Sequence, residues 1–221
     1  MLTHFYPAIR PLLFKLDPER AHSATLNALQ VAHRLHLLPR AAASAPVQLM
    51  GLTFANRVGL AAGLDKNAQY IDALGALGFG FIEVGTVTPR PQPGRDLPRL
   101  FRLPSSTALI NRMGFPNEGA EAVAARLRVR RYRGVLGVNN GKNADTPLES
   151  AVDDYVACLR TLAPLADYVA VNVSSPNTKD LRKLQHADQL QPILEALQQR
   201  TQRSWLRRGD VFRCSRRLRL I

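Results

Sequence analysis

The stretch Tyr168-Val-Ala-Val-Asn-Val-Ser-Ser-Pro-Asn-Thr178 decides the fold. A short apolar, β-branched run of strand length stops in Asn172, Ser174, Ser175, Asn177 and Thr178. Hydrogen-bonding groups therefore gather where a buried strand leaves an apolar core, the place where α/β proteins hold small polar ligands. Ser, Pro, Asn and Thr are also ordinary turn residues, so this segment alone reads equally well as a polar turn between a strand and a helix.

Three further segments repeat the pattern. Arg57-Val-Gly-Leu-Ala-Ala runs into Gly63-Leu-Asp-Lys66, Phe81-Ile-Glu-Val into Gly85-Thr-Val-Thr-Pro89, and Gly134-Val-Leu-Gly-Val into Asn139-Asn-Gly-Lys-Asn143. Each is an apolar run of strand length that ends in small, hydroxyl or amide residues. Between them the pattern predicts helices over 68–77, 117–130, 147–162 and 190–199. Short strands alternating with helices give a parallel sheet with helices outside, and chemistry belongs at the carboxyl ends of its strands.

Five segments together carry a specific resemblance: Ala61-Ala-Gly-Leu-Asp-Lys66, Gly80-Phe-Ile-Glu-Val-Gly-Thr-Val-Thr-Pro-Arg-Pro-Gln-Pro-Gly94, Asn111-Arg-Met-Gly-Phe115, Gly141-Lys-Asn143 and Asn172-Val-Ser-Ser-Pro-Asn-Thr178. In order and spacing, from about residue 3 to about residue 199, they closely resemble the dihydroorotate dehydrogenase family in its quinone-dependent, membrane-associated class. Ser175, where the soluble class carries a cysteine, and a helical amino-terminal extension point to that class. The resemblance implies the amino-terminal half of a (β/α)8 TIM barrel, over 41–199, preceded by a helical hairpin over 1–40. It further implies FMN as cofactor, dihydroorotate as substrate and orotate as product in pyrimidine synthesis, ubiquinone or menaquinone as acceptor, and a peripheral place on the cytoplasmic face of the cytoplasmic membrane.

Laid on matching positions, the resemblance makes Ser175 the general base that takes a proton from C5 of the substrate while hydride leaves C6. Thr178 and Phe115 would flank the proton's exit. Ala62, Gly63, Leu64, Asp65 and Lys66, with Thr86, Asn139 and Asn172, would contact the flavin. Lys66, Asn172 and Asn177 would hold the substrate, together with Asn111, Arg112, Met113, Gly114 and Phe115. His22 and Arg102 match positions that line the quinone tunnel in relatives.

Those residue types suit that chemistry. Dihydroorotate is an amide ring bearing a carboxylate, so carboxamides satisfy its N–H and C=O groups and leave the site uncharged near a migrating hydride. A lysine supplies a point charge where negative charge accumulates. Serine is a poor base at its free pKa and needs a proton path and a dry pocket.

Other motifs are excluded by spacing. Gly75-Ala-Leu-Gly-Phe-Gly80 precedes a strand, whereas a dinucleotide fingerprint follows one, so it reads as a helix end and turn. Gly137-Val-Asn-Asn-Gly-Lys-Asn143 has glycines too close for a phosphate loop and no Ser or Thr after the lysine. Cys158 and Cys214 have no paired spacing, which leaves neither a disulfide framework nor a zinc site, and no metal is expected. The histidines at 4, 22, 33, 36 and 186 read as surface residues, with His33 and His36 on one helical face.

Across 221 residues, 46% of them hydrophobic, the chain can bury a sizeable core as one domain with an appendage. In that appendage Phe5, Ile9, Leu12, Leu13 and Leu16 recur at helical spacing, and Asp17-Pro18 starts a second helix running to about Leu38. Arg10, Lys15, Arg20, Arg34 and Arg40 outnumber Asp17 and Glu19, which suits an anionic membrane surface. A hairpin packed on the protein body is the alternative. Neither helix has the ~20 uninterrupted apolar residues that span a bilayer.

From Arg200 onward there are eight arginines and one acid, Asp210, against 22 basic and 16 acidic residues before it. This 200–221 tail departs from the family pattern and reads as an out-of-frame stretch; a tail that binds nucleic acid or membrane and a solvated end are the alternatives, and no nucleic acid is expected as a partner of the main body. Lys179-Asp180 departs too, standing where relatives carry a small turn-forming pair. Loops after the last two strands of a (β/α)8 barrel commonly hold a cofactor phosphate, so this chain by itself is expected to bind flavin weakly and turn over little dihydroorotate. A non-catalytic basic fragment is the competing function.

Overall fold

In this computed structural model, residues 2–38 and 45–206 are described. Asp17 and Pro18 divide the amino-terminal region. Helix α1 (Leu2–Lys15) ends just before Asp17, whose carboxylate caps α2 (Pro18–Arg34) by accepting from the backbone N–H of Glu19 at 3.0 Å and of Arg20 at 3.1 Å. Proline costs nothing in that first turn, where its missing N–H would have no partner. α2 stops at Arg34, earlier than expected, because His36 adopts φ 57° and closes the helix: His36 N donates to His33 O and Leu37 N to Ala32 O. His33 and His36 therefore do not share a helical face.

A hairpin follows, β1 (Val47–Leu49) with β2 (Leu52–Phe54), turned by Met50 and Gly51 at φ 55° and 72°. Two residues of positive φ match the twist of paired strands. Then come β3 (Gly59–Leu60), α3 (Ile71–Gly75), β4 (Phe81–Val87), β5 (Leu100–Leu103), β6 (Ala108–Asn111) and α4 (Gly119–Val129). The last elements are β7 (Val135–Asn140), α5 (Ala151–Leu162), β8 (Tyr168–Val171) and α6 (Ala187–Leu206). β3, β4, β7 and β8 form one parallel sheet in that order, and β5 pairs antiparallel with β6 in a separate hairpin. This is an α/β half-barrel, as the alternation implies. The sequence pattern misses both hairpins.

Helix α3 is much shorter than the expected 68–77. Asp65 accepts from the backbone N–H of Gln69 at 2.9 Å and Tyr70 at 2.7 Å, and Ala68 takes φ 57°, so the chain turns before it can wind. α6 begins at Ala187 and carries Pro192 near its start. The stretch from Gly75 to Gly80 is a helix end and turn, with Gly78 at φ 92°.

The sheet's two faces differ. Toward the helices, Ile82 and Val84 of β4 and Leu136 and Val138 of β7 are fully buried against Val123, Leu127, Cys158 and Leu162. A second cluster joins α5, α6 and β8 through Tyr155, Leu159, Val169, Ile193 and Leu197. On the inner face Phe81 and Tyr168 lie across their cross-strand partners Gly59 and Gly137, where a Cβ would come within 2.0 and 2.1 Å of the rings. Phe54 meets Phe81 edge-on at 5.3 Å, so the β1–β2 hairpin covers the amino-terminal end of the sheet.

The amino-terminal helices attach through α2. Ala21 and Leu26 are buried, Tyr70 donates to Asn27 Oδ1 at 2.7 Å, and Arg99 makes two 2.9 Å bonds to Glu19. The expectation for 200–221 concerns residues of which 207–221 lie outside the described ones.

Candidate active site

The carboxyl ends of the four parallel strands are stitched together by backbone and side chain in turn. Gly63 N donates to Gly85 O at 2.8 Å and Gly85 N to Asp65 O at 3.2 Å, which joins the loop after β3 to β4. Thr86 Oγ1 then donates to Asn139 Oδ1 at 2.6 Å, and Asn172 Nδ2 reaches both Thr86 Oγ1 at 3.0 Å and Asn139 Oδ1 at 3.2 Å. Asn172 N donates to Asn140 O at 2.9 Å, and Ser174 N and Oγ both donate to Asn172 Oδ1 at 3.0 Å. Thr86 of β4, Asn139 of β7 and Asn172 just past β8 share one cluster.

The neighbouring loop completes the mouth. Asn177 N donates to Ser175 Oγ at 3.2 Å, and Asn177 Nδ2 approaches Asn111 Oδ1 at 3.4 Å. Ser175 is half-buried, while Thr178 is buried with its hydroxyl unpartnered. Phe115, at φ 55°, packs beside Thr86 over Gly141, where an added Cβ would lie 3.2 Å from the Phe115 ring and 2.8 Å from Thr86 Cγ2. Gln92 Nε2 donates to the carbonyls of Gly114 and Phe115, which ties the segment after β6 to the loop after β4.

Lys66 opens the other side. Its ammonium donates to Gly63 O at 2.5 Å and lines a cavity of about 360 Å³ with His22, Glu19, Leu64, Asp65 and Met113. Burial pulls the Lys66 ammonium below the ordinary lysine value, with Glu19 pulling it back. His22 also lies below its ordinary value, first through burial and then through the charge of Lys66. The sequence reading of His22 as a surface residue is thus corrected: α2 turns it inward. Burial raises Asp65, although three backbone N–H groups offset the effect.

A neutral amide and hydroxyl cluster beside one partly desolvated cation suits a ring with amide groups and an anionic substituent. The family model for dihydroorotate dehydrogenase matches residues 44–207. The dihydroorotate dehydrogenase (quinone) of Chromobacterium violaceum is 63% identical over 198 residues, covering 88% of this chain and 58% of that protein. That of Acinetobacter baylyi is 56% identical over 195 residues, with the same coverage. The chain belongs to the dihydroorotate dehydrogenase family. It spans about 58% of the length of these relatives. Two crystal structures of DHODH from Eimeria tenella are similar as well. The one in complex with ferulenol has a TM-score of 0.74 at 42% identity over 85% of this chain and 52% of that one; the ligand-free one has 0.72 at 39% over 92% and 58%.

The fold brings many of the residues that the motifs single out to the strand ends. Thr86, Asn139 and Asn172 share one set of hydrogen bonds, Ser175, Asn177 and Asn111 a second, and Lys66 reaches the same end through Gly63 and Gly85; of these residues only Lys66 lines the cavity. Some side chains are committed elsewhere. Both Asp65 oxygens bond backbone N–H groups, so only its backbone is available to a ligand. Arg112 donates twice to Pro98 O and stands over the Phe101 ring. Arg102 donates to Leu16 O at 2.8 Å and stacks on Phe14, outside the lining of the cavity that holds His22.

Several residues escape the sequence reading. Glu83 receives Asn139 Nδ2 and Tyr168 OH, each at 2.9 Å. Tyr155 donates to Asn172 O at 2.8 Å, and Asp154 receives Asn143 N at 2.8 Å, so adjacent residues of α5 hold the ends of β7 and β8. Lys142, which superficially resembles a phosphate-loop lysine, is buried and donates to the carbonyls of Asn143 and Thr146. An acid in the apolar run Phe-Ile-Glu-Val is the one signal that pointed to any of these. Among the described residues no group of three or more His, Cys, Asp or Glu is placed to hold a metal.

Proposed function

We propose that this site oxidises (S)-dihydroorotate to orotate in pyrimidine biosynthesis, with FMN as resident cofactor and ubiquinone or menaquinone as the acceptor. The observation that carries the reading is the hydrogen-bonded cluster of Thr86, Asn139 and Asn172 at the strand ends, with Ser174 bonded to Asn172 and Lys66 tied to the same end through Gly63 and Gly85.

The residues present fit a flavin ring. Gly63, at φ 106°, faces open space where a Cβ would meet nothing within 4 Å, so a planar group can lie against its backbone. Ala62, Leu64, Lys66, Thr86, Asn139 and Asn172 would hold it there. Bound FMN supplies a two-electron acceptor for the hydride that leaves C6 of the substrate. Asn111 and Asn177 orient the substrate ring through their carboxamides, Asn172 packs against it with its own carboxamide spent on Thr86, Asn139 and Ser174, and Lys66 offers its charge to the carboxylate. Ser175 Oγ takes the C5 proton. The buried Thr178 hydroxyl, which has no other partner, stands three residues on along the proton's way out.

The quinone side of the reading rests on His22 in the cavity next to Lys66. Peripheral membrane attachment rests on the amino-terminal helix, where Tyr6, Ile9, Leu12, Phe14 and Leu16 are 42–63% exposed beside Arg10 and Lys15. No helix among the described residues is long and apolar enough to cross a membrane.

Flavin fluorescence quenching tests the function. FMN titrated into the chain with orotate present should bind saturably though weakly. Asn172→Ala should loosen it roughly tenfold, the size of one well-made hydrogen bond, and dihydroorotate added without oxygen should bleach the bound flavin and yield orotate. Absence of saturable binding of either FMN or orotate would reject the reading.

A further inference from the structure

Glu83 is an acid in the middle of a strand whose neighbours Ile82 and Val84 are fully buried. Both of its oxygens are used. One accepts from Asn139 Nδ2 and the other from the Tyr168 hydroxyl, each at 2.9 Å. Burial first, and Glu83 second, push the Tyr168 phenol far above its ordinary value, so it stays protonated and donates. A carboxylate can only accept, so Asn139 must turn its NH2 group to Glu83 and its carbonyl oxygen the other way.

That choice propagates. Asn139 Oδ1, now fixed as an acceptor, receives Thr86 Oγ1 at 2.6 Å and Asn172 Nδ2 at 3.2 Å. With its proton spent on Asn139, the Thr86 oxygen accepts from Asn172 Nδ2 at 3.0 Å. At the far end Ser174 N, a backbone group that can only donate, meets Asn172 Oδ1 at 3.0 Å. Three groups whose polarity is otherwise free lie between an obligate acceptor and an obligate donor, and all point one way. Reversing Asn139 would set its carbonyl against the carboxylate and remove the acceptor that Thr86 and Asn172 share.

We propose that Glu83 is a positioning residue that fixes the amide direction of Asn139 and, together with the Ser174 N–H at the other end, of Thr86 and Asn172, and so decides which amide atoms of the strand-end site are left for a ligand. Glu83 itself need not touch the ligand. The proposal rests on the functional reading only for its second readout below.

The first readout needs no ligand. The side-chain amide resonances of Asn139 and Asn172 in the full chain, labelled with ¹⁵N and assigned by loss in Asn139→Asp and Asn172→Asp, are compared in three variants. Glu83→Gln keeps an acceptor for Asn139 and should leave Asn172 in place. Glu83→Met removes the acceptor and should shift Asn172, which Glu83 does not bond. Glu83→Asp keeps the charge but withdraws the oxygens by one carbon; it should act like Glu83→Met and serves where that variant does not fold. Unmoved Asn172 resonances in Glu83→Met and Glu83→Asp, or an equal shift in Glu83→Gln, would overturn the proposal. In the second readout FMN should bind Glu83→Met about tenfold more weakly and Glu83→Gln within about twofold of the parent; equal losses in both would overturn it too. A parent chain that takes up no FMN rejects the functional reading alone, because the amide resonances still decide the role of Glu83.

Discussion

The two faces of the parallel sheet are built from alternate residues of the same strands, yet they do different work. On the outer face Ile82, Val84, Leu136 and Val138 are fully buried under helices. On the inner face Glu83, Asn139 and Tyr168 form a polar chain that leads to Thr86 and Asn172 at the mouth. Each buried aliphatic side chain contributes about 1.5–3 kcal/mol through burial, whereas a hydrogen bond between neutral groups nets only about 1 kcal/mol. Stability therefore resides mainly outside, and the inner chain's worth lies in direction: it decides which amide atoms face a ligand. One residue of register separates the two roles.

The sharpest way to separate the faces is Ser175→Ala. In flavin-loaded protein it should slow bleaching by dihydroorotate by about 10²–10⁴-fold, the range for loss of a positioned base, while the melting temperature stays put. Stopped-flow absorbance and a thermal melt read the two quantities. The mirror case is Leu136→Ala on the outer face, which should cost about 2–5 kcal/mol by denaturant titration and leave the FMN affinity of the folded protein unchanged.

Tyr155 crosses between the faces. It belongs to an outer helix, is fully buried, and bonds Asn172 O at 2.8 Å. Burial pushes its phenol well above the ordinary value, and the backbone N–H of Lys142 partly offsets this. Tyr155→Phe should cost about 1–3 kcal/mol of stability by leaving the Asn172 carbonyl without its partner and should also weaken FMN, an effect that Leu136→Ala lacks. Equilibrium unfolding and flavin titration on the same samples check the pair.

The smallest effect concerns pH at the cavity. His22 has its proton affinity lowered in the folded protein by burial and by Lys66. The unfolded chain therefore binds the proton more readily, and stability is present above the ordinary histidine pKa of about 6.5 and is lost as pH falls through the lower folded value. His22→Gln should flatten that slope. Urea midpoints measured at several pH values below neutrality would show it.

The sheet was legible because Val, Ile and Leu runs end abruptly in Asn, Ser and Thr, and both the β-branched strand pattern and the turn chemistry act over short distances. Thr86, Asn139 and Asn172 stood out for the same reason. Glu83 did not, because its partners lie 56 and 85 residues away and one acid in a strand says nothing about what will face it. The β5–β6 hairpin was missed since Phe101, Leu103, Leu109 and Ile110 are exposed and give no inside-out alternation. Helix α3 was overdrawn because the carboxylate of Asp65 competes for backbone N–H groups that a helix would need. His22 was misread because helical spacing alone does not say which face the β3–α3 loop will cover.

Titration of the ¹⁵N-labelled protein with orotate, following the side-chain amides of Asn111, Asn139, Asn172 and Asn177 together, tests most directly whether the strand ends make one site. A single site moves all four with one dissociation constant, and Lys66→Met weakens that constant for all four alike. Separate constants, or amides that stay still while orotate binds elsewhere, would contradict it.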